Sequence, residues 1–405
     1  MGNISLDSTG TKRSIRNVVA LTAMLMSGIL GHAQIYRAMH QFTGGTDGGG
    51  PLAGVIVDTQ GSMYGTSGAA GSCGILYKVD SNGNETILYA FPQDRSGGCG
   101  PQTSIVRDSA GNFYGTTHTG GVGKCTAGQG CGVVFKIDTN GNETVLHFFT
   151  GYPDDGDWPM NVTLDKDGTI YGTTYTGGAN HWGTIFKIDT AGKETILHNF
   201  DLRDGAWPYG KLLLGPTGNL YGTAYRGGNS GNHCDGMGCG VIFKLDPRGN
   251  LTVLYNFQGK TDGGNPFAGL IEANGTFYGT TDNAGSFGKA CGFTYGCGTL
   301  FSLAKGKLTV LHIFGGPGDG QIPHGGVIRA PDGTLYGTAA YGGAEGFGTI
   351  YSLTGSGAET ILYSFCCWHG KTPGGGVVRD TAGRLYGTTM LGGSHEAGVV
   401  FRFTP

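Results

Sequence analysis

The chain has 405 residues, a formal net charge of −3 and only 14% charged side chains, so it lacks the basic surface that nucleic-acid binding requires. Its length exceeds that of a usual single-core domain, which indicates either several domains or one unit repeated many times. Glycine contributes 83 residues, and because these recur at fixed places between short apolar runs, repetition is favoured over low complexity.

The first 33 residues have the pattern of an export signal. Basic residues at Lys12, Arg13 and Arg16 precede an apolar run over 18–30, and small residues follow before Gln34. This run is too short for a stable membrane span, although an uncleaved anchor is the alternative. We therefore expect a secreted protein, extracellular or periplasmic, whose residues 34–405 form a single domain of seven repeats.

A repeat of about 50 residues occupies the rest of the chain. The tripeptide Tyr-Gly-Thr occurs seven times, starting at Tyr64, Tyr114, Tyr171, Tyr221, Tyr278, Tyr336 and Tyr386. Four short β-prone segments surround each copy, which we name strands a, b, c and d. In the third repeat they cover residues 160–164, 169–174, 183–189 and 194–200, with turn residues between them. The pattern predicts an all-β, seven-bladed β-propeller of four-stranded antiparallel blades.

The two ends of the repeat region complement each other. The last repeat reaches Pro405 after its strand c, over residues 398–403, and lacks a strand d. A segment like strand d covers 35–42, and its Phe42 matches the phenylalanine that ends the other d strands. We expect this N-terminal strand to complete the last blade, because closure hides the sheet edges that an open array exposes. An open solenoid is the alternative.

All ten cysteines follow the signal, and an even number in an exported chain predicts disulfide bonds. Three close pairs lie in the b–c loops of the longer repeats: Cys125 with Cys131, Cys234 with Cys239, and Cys291 with Cys297. Cys73 has no partner in its own loop, but Cys99 in the next d–a loop lies on the same face and could pair with it. Zinc is the rival interpretation, although each close pair offers only two thiolates. The pairing of Cys366 and Cys367 stays open.

The unusual residues collect in the loops of one face. In such a blade the b–c and d–a loops leave on one side, and the a–b and c–d hairpins leave on the other. All four tryptophans and six histidines fall in the first group, the histidines being His118, His181, His233, His324, His369 and His395. Two aspartates of recurring Asp-Gly-x-x-Pro segments join them. The ligand-binding residues that we expect here are Trp158, Trp207, Trp182, Trp368, Asp155, Asp204, His324 and His369.

Each of these residue types has a structural alternative. The recurring aspartate could form an Asx turn that caps the crossing between blades. Tryptophan rings suit the apolar faces of sugars, but they also pack in partly buried loops. The acidic run over 154–157 suggests calcium, yet four adjacent residues do not supply the six to eight oxygens that calcium takes. Seven equivalent Tyr-Gly-Thr copies indicate packing rather than catalysis, with glycine permitting close approach of the sheets.

The repeat resembles a known family. Tyr-Thr-Gly-Gly at 175–178, Gly-Thr-Ile-Phe-Lys-Ile at 183–188, Glu-Thr-Ile-Leu-His-Asn-Phe at 194–200 and Gly-Asn-Leu-Tyr-Gly-Thr at 218–223 are similar to the Gloeo/Verruco (GloVer) repeat of exported bacterial proteins. The resemblance covers nearly all of residues 34–405. It implies the repeat fold and export, and it implies no particular chemistry.

Three functions agree with this sequence. The export signal and the clustered Trp, His and Asp residues favour a non-catalytic binding protein for a carbohydrate or another surface polymer. A polysaccharide lyase or hydrolase is the second, by analogy with other propellers, although no catalytic motif is readable. A structural cell-surface repeat protein without a small ligand is the third, favoured by the near-identity of the blades. The sequence indicates no cofactor or metal, and nucleic acid is not an expected partner.

Overall fold

A computed structural model of the chain describes residues 34–405 except 70–71, 124, 229–233, 286–295 and 356. Residues 34–405 form one compact unit. Seven four-stranded antiparallel sheets make a ring, and within each sheet the hydrogen-bonded order is a, b, c, d. The predicted seven-bladed β-propeller is confirmed. Strand a of every blade faces the centre of the ring, so the loops that flank it surround the openings of a central channel.

The strands follow the repeat closely, and we number the blades in chain order from strand a. The a strands are Ile56–Val57, Val106–Arg107, Gly156–Leu164, Leu213–Leu214, Ile271–Ala273, Val327–Arg329 and Val378–Arg379. The b strands are Met63–Ala69, Phe113–Thr117, Ile170–Gly177, Leu220–Ala224, Thr276–Thr281, Leu335–Ala339 and Leu385–Thr389. The c strands are Ser72–Val79, Val133–Ile137, Thr184–Ile188, Val241–Leu245, Thr299–Ala304, Thr349–Leu353 and Val399–Thr404.

The outer d strands are Glu85–Ala90, Glu143–Phe148, Glu194–Asn199, Leu251–Asn256, Lys307–Ile313, Glu359–Ser364 and, for the seventh blade, Ile35–Gln41. The loops add a short pair of strands, Gly320–Gln321 with Tyr341–Gly342, together with a four-residue helix, Cys125–Gly128, and a 3₁₀ turn, Cys367–His369. Strand content thus dominates, as glycine-punctuated runs of β-branched and aromatic residues favour.

The N-terminal strand closes the ring as predicted. It pairs antiparallel with the last strand of the chain, with Ile35 opposite Thr404 and Gln41 opposite Val399. Every blade therefore has four strands, and each central strand is paired on both sides. Because Phe42 directly follows this strand and is fully buried, closure also places a large apolar side chain in the core.

The same aromatic contact joins every pair of neighbouring blades. The phenylalanine after each strand d packs edge to face on an aromatic ring in strand c of the next blade, with ring centroids 5.1–5.3 Å apart. Phe42 meets Tyr77 in this way, and Phe365 meets Phe401, so the closing blade uses the contacts of all the others. Such a pair is worth about 0.5–1.5 kcal/mol beyond the apolar area that it buries.

The glycine and the threonine of the Tyr-Gly-Thr motif both have structural roles. A Cβ on any of the seven glycines would lie 2.4–2.7 Å from the aromatic side chain opposite it in strand c of the same blade. Packing inside each blade therefore requires glycine at this position. The sequence had instead suggested that glycine permits a close approach between sheets. The threonine hydroxyl donates to a carbonyl of the next blade in six blades, for example from Thr116 to Met160 and from Thr388 to Ala53. These bonds fasten neighbouring inner strands together.

Candidate binding face

Aromatic rings form a continuous row on the face where the b–c and d–a loops leave the blades. Successive rings have their centroids 3.6–5.7 Å apart, in the order His118, Trp158, Tyr175, Tyr209, Phe267 and His324. We call these six residues the aromatic arc. Trp207, Trp182 and Tyr225 flank it. All of these side chains are partly exposed, so the row offers apolar and polar atoms to a ligand, although stacked neighbours such as Phe267 and His324, with centroids 3.6 Å apart, cover part of each other's faces.

The arc is built from three positions of the repeat that vary between blades. The residues before the proline of the d–a loop are Gly50, Gly100, Trp158, Trp207, Asn265, Ile322 and Thr372, and those after it are Leu52, Gln102, Met160, Tyr209, Phe267, His324 and Gly374. The third position, four residues after the tyrosine of Tyr-Gly-Thr, is held by Gly68, His118, Tyr175, Tyr225, Asp282, Ala340 and Met390. Aromatic residues occupy these positions in blades 2–6, which makes the mouth of the channel asymmetric.

The residue before the proline has a left-handed backbone in every blade. Trp158 and Trp207 have φ of 55° and 57°, and the corresponding Gly100 has φ of 74°. A hydrogen bond to the preceding blade fixes this geometry, since the Trp207 amide donates to the Trp182 carbonyl at 3.0 Å. A bulky residue in this conformation costs about 1–2 kcal/mol relative to glycine. Asn265, Ile322 and Thr372 have the same left-handed backbone in other blades, so the loop imposes this conformation whatever residue it carries.

Two histidines at the ends of the arc differ in charge. Burial lowers the pKa of His118 to about 4, so this imidazole is neutral, and its Nε2 has no hydrogen-bond partner among the described residues. Burial would also lower the pKa of His324, but the charge and the hydrogen bond of Asp282, 3.0 Å from Nδ1, raise it above its usual value. His324 thus brings partial positive charge to one end of the arc.

A cavity of about 340 Å³ lies in the central channel beneath the arc. All seven blades line it, and Tyr209, Phe267 and His324 extend into its wall from the arc. Its only ammonium group among the described lining residues belongs to Lys211, and none of those residues is a carboxylate. The volume is at the lower end of the range for small-molecule sites, so the channel has room for one sugar-sized group.

The remaining tryptophan and histidine of the predicted site do not join the arc. Trp368 and His369 lie in the d–a loop between blades 6 and 7, where Trp368 is 68% exposed. The His369 ring packs against Tyr36 and shares a hydrogen bond with the Tyr363 hydroxyl. This pair forms a separate surface feature, and the structure groups it with neither Trp158 nor Trp207.

The two predicted aspartates hold their own loops. Asp155 accepts the amide of Thr150 at 2.9 Å and contacts His147 Nε2 at 3.1 Å. Asp204 accepts the amide of Asp201 and contacts His198 Nε2 at 2.7 Å. Each carboxylate accepts an amide that precedes it in the chain, so it closes its own d–a loop and has a structural role, although not through the Asx turn of the structural alternative.

Histidine and carboxylates meet at three junctions between blades. The three clusters are His40, Asp47 and Glu85; His147, Asp155 and Glu194; and His312, Asp319 and Glu359, with ligand atoms within 4.8 Å of one another. These residue types suit a divalent metal. However, the aspartate of each cluster already accepts backbone amides of its own loop, for example those of Thr43, Thr150 and Gly315. A structural role between blades therefore accounts for the clusters.

Three of the predicted disulfide bonds are present. They join Cys73 to Cys99, Cys125 to Cys131, and Cys234 to Cys239. Cys297 is buried and disulfide-bonded, whereas Cys291 lies outside the described residues, as does His233. The Cys73–Cys99 bond connects blade 1 to the loop that enters blade 2. Cys366 and Cys367 are free thiols.

Sequence reasoning missed Tyr175, Tyr209, Tyr225, Phe267 and Asp282. A usable signal was present, because these residues share repeat positions with His118 and His324 and depart from otherwise constant surroundings. Comparing each repeat position across the seven blades would have identified them. Counting tryptophans and histidines in the loops found only the most distinctive members.

The structure is thus a closed seven-bladed β-propeller in which aromatic residues and loops surround one opening of the central channel. The sequence matches the Gloeobacter/Verrucomicrobia repeat over residues 72–293 and 289–405, and the chain belongs to this family. The resemblance seen in the repeat motifs is thereby confirmed. No curated protein matches the chain.

Solved structures share the fold at low sequence identity. An extracellular domain assigned to a hybrid two-component system of B. thetaiotaomicron is 13% identical with a TM-score of 0.54, over 91% of this chain and 41% of that one. An extracellular domain assigned to a one-component system of the same organism is 10% identical with a TM-score of 0.52, over 87% and 38%. The chain thus spans about two fifths of their length, and the likeness supports the propeller fold alone.

A gluconolactonase of Xanthomonas campestris is also similar. It is 15% identical with a TM-score of 0.41, and the match covers 73% of this chain and 82% of that one. So distant a likeness transfers no activity. Within the described residues, no helix is both long and apolar enough to cross a membrane.

Proposed function

We propose that the protein is an exported, non-catalytic binding protein whose aromatic arc holds a carbohydrate chain. The observation that carries this proposal is the unbroken row of rings from His118 to His324 at one mouth of the channel. Sugar rings pack their apolar sides against such exposed aromatic surface, while the tyrosine hydroxyls and histidine nitrogens offer hydrogen bonds to sugar hydroxyls.

Export is part of the proposal. The basic and apolar pattern of residues 1–33 supports it, and so do disulfide bonds, which persist in oxidising compartments. Protein recovered from the periplasm or medium should therefore have the mass of a chain that begins at Gln34.

Binding is tested with that exported protein. Isothermal titration against an oligosaccharide panel, with sedimentation on insoluble polysaccharides, should give a ligand for wild type. The double variant Trp158→Gly with Trp207→Gly should bind it at least about tenfold more weakly, since each lost ring contact is worth about 1 kcal/mol. Glycine occupies the equivalent place in blades 1 and 2, so these changes preserve the backbone.

Trp368→Ala is the matched control, because it removes an exposed tryptophan that lies outside the arc. Its affinity should equal that of wild type. Unchanged affinity of the double variant would contradict the proposal, as would the absence of any glycan ligand, which would favour a purely structural repeat protein.

The enzyme alternative rests on one observation. His324, paired with Asp282, lines the cavity together with Tyr209, an arrangement that could move a proton. Release of reducing ends or unsaturated sugars by wild type, abolished in His324→Ala, would favour a lyase or hydrolase over a binding protein.

A further inference from the structure

Lys211 is exceptional among the residues that line the channel. The equivalent positions of the other blades hold Gly54, Ser104, Asn161, Gly269, Gly326 and Gly376. Several of these glycine positions have no room for a side chain. For example, a Cβ at Gly269 would lie 2.4 Å from the Lys211 carbonyl oxygen. A wall of small residues is therefore interrupted by one long cationic side chain.

The ammonium group of Lys211 has no partner among the described residues. Its Nζ makes no hydrogen bond or ion pair with any of them, although protein surrounds it on most sides. Burial lowers the pKa of this amine, because desolvation disfavours the charged form. A partly desolvated cation that faces the channel without a protein partner gains free energy by pairing with an anion of a ligand.

We propose that Lys211 pairs with the carboxylate of a uronic-acid residue whose sugar ring stacks on the aromatic arc. The inference rests on the proposed carbohydrate binding and specifies its ligand as an acidic glycan. Tyr209 of the arc is two residues before Lys211, so their backbones are at most about 7 Å apart. A carboxylate carried on a sugar ring at Tyr209 is thus within reach of the Lys211 side chain.

The charges around the channel favour entry from the arc. No described carboxylate lines the cavity on that side, and Asp282 is engaged by His324. On the opposite side of the ring Lys211 also borders a wider cavity of about 1030 Å³, whose lining adds Asp165, Asp167 and Lys166, a net contribution of one negative charge that disfavours an anion there. A single lysine is a point charge suited to a monoanion, without the bidentate fork that arginine presents to phosphate.

The test compares uronate oligosaccharides with their own neutral forms. Oligogalacturonate and alginate oligosaccharides are titrated into wild type, together with the same molecules after reduction of the carboxyl groups to alcohols. At least one uronate ligand should bind about 10- to 100-fold more tightly than its reduced counterpart, as expected for a charge-assisted hydrogen bond. A sulfated neutral oligosaccharide is included to separate carboxylate recognition from general anion binding.

Variants assign this preference to one residue. Lys211→Met should bring the affinity for the uronate to that for the reduced form and leave the latter unchanged, whereas Lys211→Arg should retain part of the preference. Lys166→Met, which removes an exposed lysine on the opposite face, should behave as wild type. Thermal unfolding of each variant shows whether the ring is intact.

The outcomes separate the two proposals. Equal affinity for uronate and reduced forms, binding of neutral sugars alone, or stronger binding of the sulfated sugar would overturn the role of Lys211 while leaving carbohydrate binding in place. Absence of binding by all of these ligands and by the wider panel would overturn both proposals. The comparison of ligands on wild type needs no variant, so it tests the proposal even if the Lys211→Met protein does not fold.

Discussion

A bulky residue with a left-handed backbone lowers the stability of the fold locally, and comparison of equivalent positions in the seven blades reveals where this occurs. The same loop position holds glycine in blades 1 and 2, tryptophan at Trp158 and Trp207, and Asn265, Ile322 and Thr372 in the remaining blades, with φ between 55° and 74° throughout. The seven blades thus act as internal controls for one another, because the surrounding hydrogen bonds are shared. Because five of the seven blades carry a side chain in this conformation, the loop and its hydrogen bond, rather than the residue type, set the backbone.

This cost predicts a difference in stability between two small substitutions at Trp158. Both Trp158→Gly and Trp158→Ala remove the ring, but only glycine accommodates the left-handed backbone without strain. The glycine variant should therefore have a free energy of unfolding about 1 kcal/mol higher than the alanine variant, measured by urea denaturation.

Gly100→Ala is the control that isolates the effect of the left-handed backbone on stability. A Cβ at Gly100 meets no atom within 4 Å, so any loss of stability comes from its φ of 74°. We expect a loss of about 1 kcal/mol there. An alanine variant at position 158 as stable as the glycine variant would show that the backbone relaxes.

Strand b acts as the connector between neighbouring blades. Its threonine reaches a carbonyl of the next blade, as from Thr388 to Ala53 at 2.8 Å, whereas the buried hydroxyl of Thr280 has no partner among the described residues. The two threonines occupy equivalent positions in blades 7 and 5. Substituting each of them therefore separates the contribution of the hydrogen bond to stability from that of the side-chain shape.

Replacement of each threonine by valine tests this connection. Thr388→Val should lower the free energy of unfolding by about 1–2 kcal/mol, because it breaks a buried hydrogen bond and leaves a carbonyl unsatisfied. Thr280→Val should be neutral or stabilising, since it removes an unpaired buried hydroxyl. Equal losses in the two variants, measured by urea denaturation, would mean that the inter-blade bond contributes nothing specific.

The elements themselves were predictable because the repeat specifies them seven times. The recurrence of Tyr-Gly-Thr located strand b, and the match of Phe42 to the phenylalanines of the other d strands predicted closure. What the sequence did not reveal was how side chains meet across loops. The caps at Asp155 and Asp204 depend on histidines six to eight residues away, and the arc depends on rings from five blades.

At the scale of the whole ring, ionisable groups gather at the junctions between blades. Glu85, Glu194 and Glu359 each begin a strand d and face a histidine and an aspartate of the preceding junction. Burial, together with the charge of the neighbouring aspartate, raises the pKa of each glutamate to about 7. The histidines facing Glu85, Glu194 and Glu359 are His40, His147 and His312.

These pKa values predict that the ring loses stability as pH rises through neutrality. A carboxyl group whose pKa is about 7 in the folded state and near 4.5 in the unfolded state stabilises the fold while protonated, and this contribution is lost progressively as pH rises from about 4.5 through the folded pKa. His118 acts in the opposite direction, because its folded pKa of about 4 removes stability only as pH falls below 6.5. Above pH 6.5 the glutamates therefore dominate, and His312 and His324, whose pKa values are raised, add to the same trend.

Wild type should accordingly have a lower Tm at pH 8 than at pH 6.5, measured by calorimetry at constant ionic strength. The triple variant Glu85→Gln, Glu194→Gln and Glu359→Gln mimics the protonated side chains, so its Tm should change less between the two pH values. Glu345→Gln, at an exposed site, should retain the wild-type difference. A wild-type Tm that rises over this interval would exclude the junction carboxyls as the controlling groups, because protonation of a buried glutamate acts only in the direction stated.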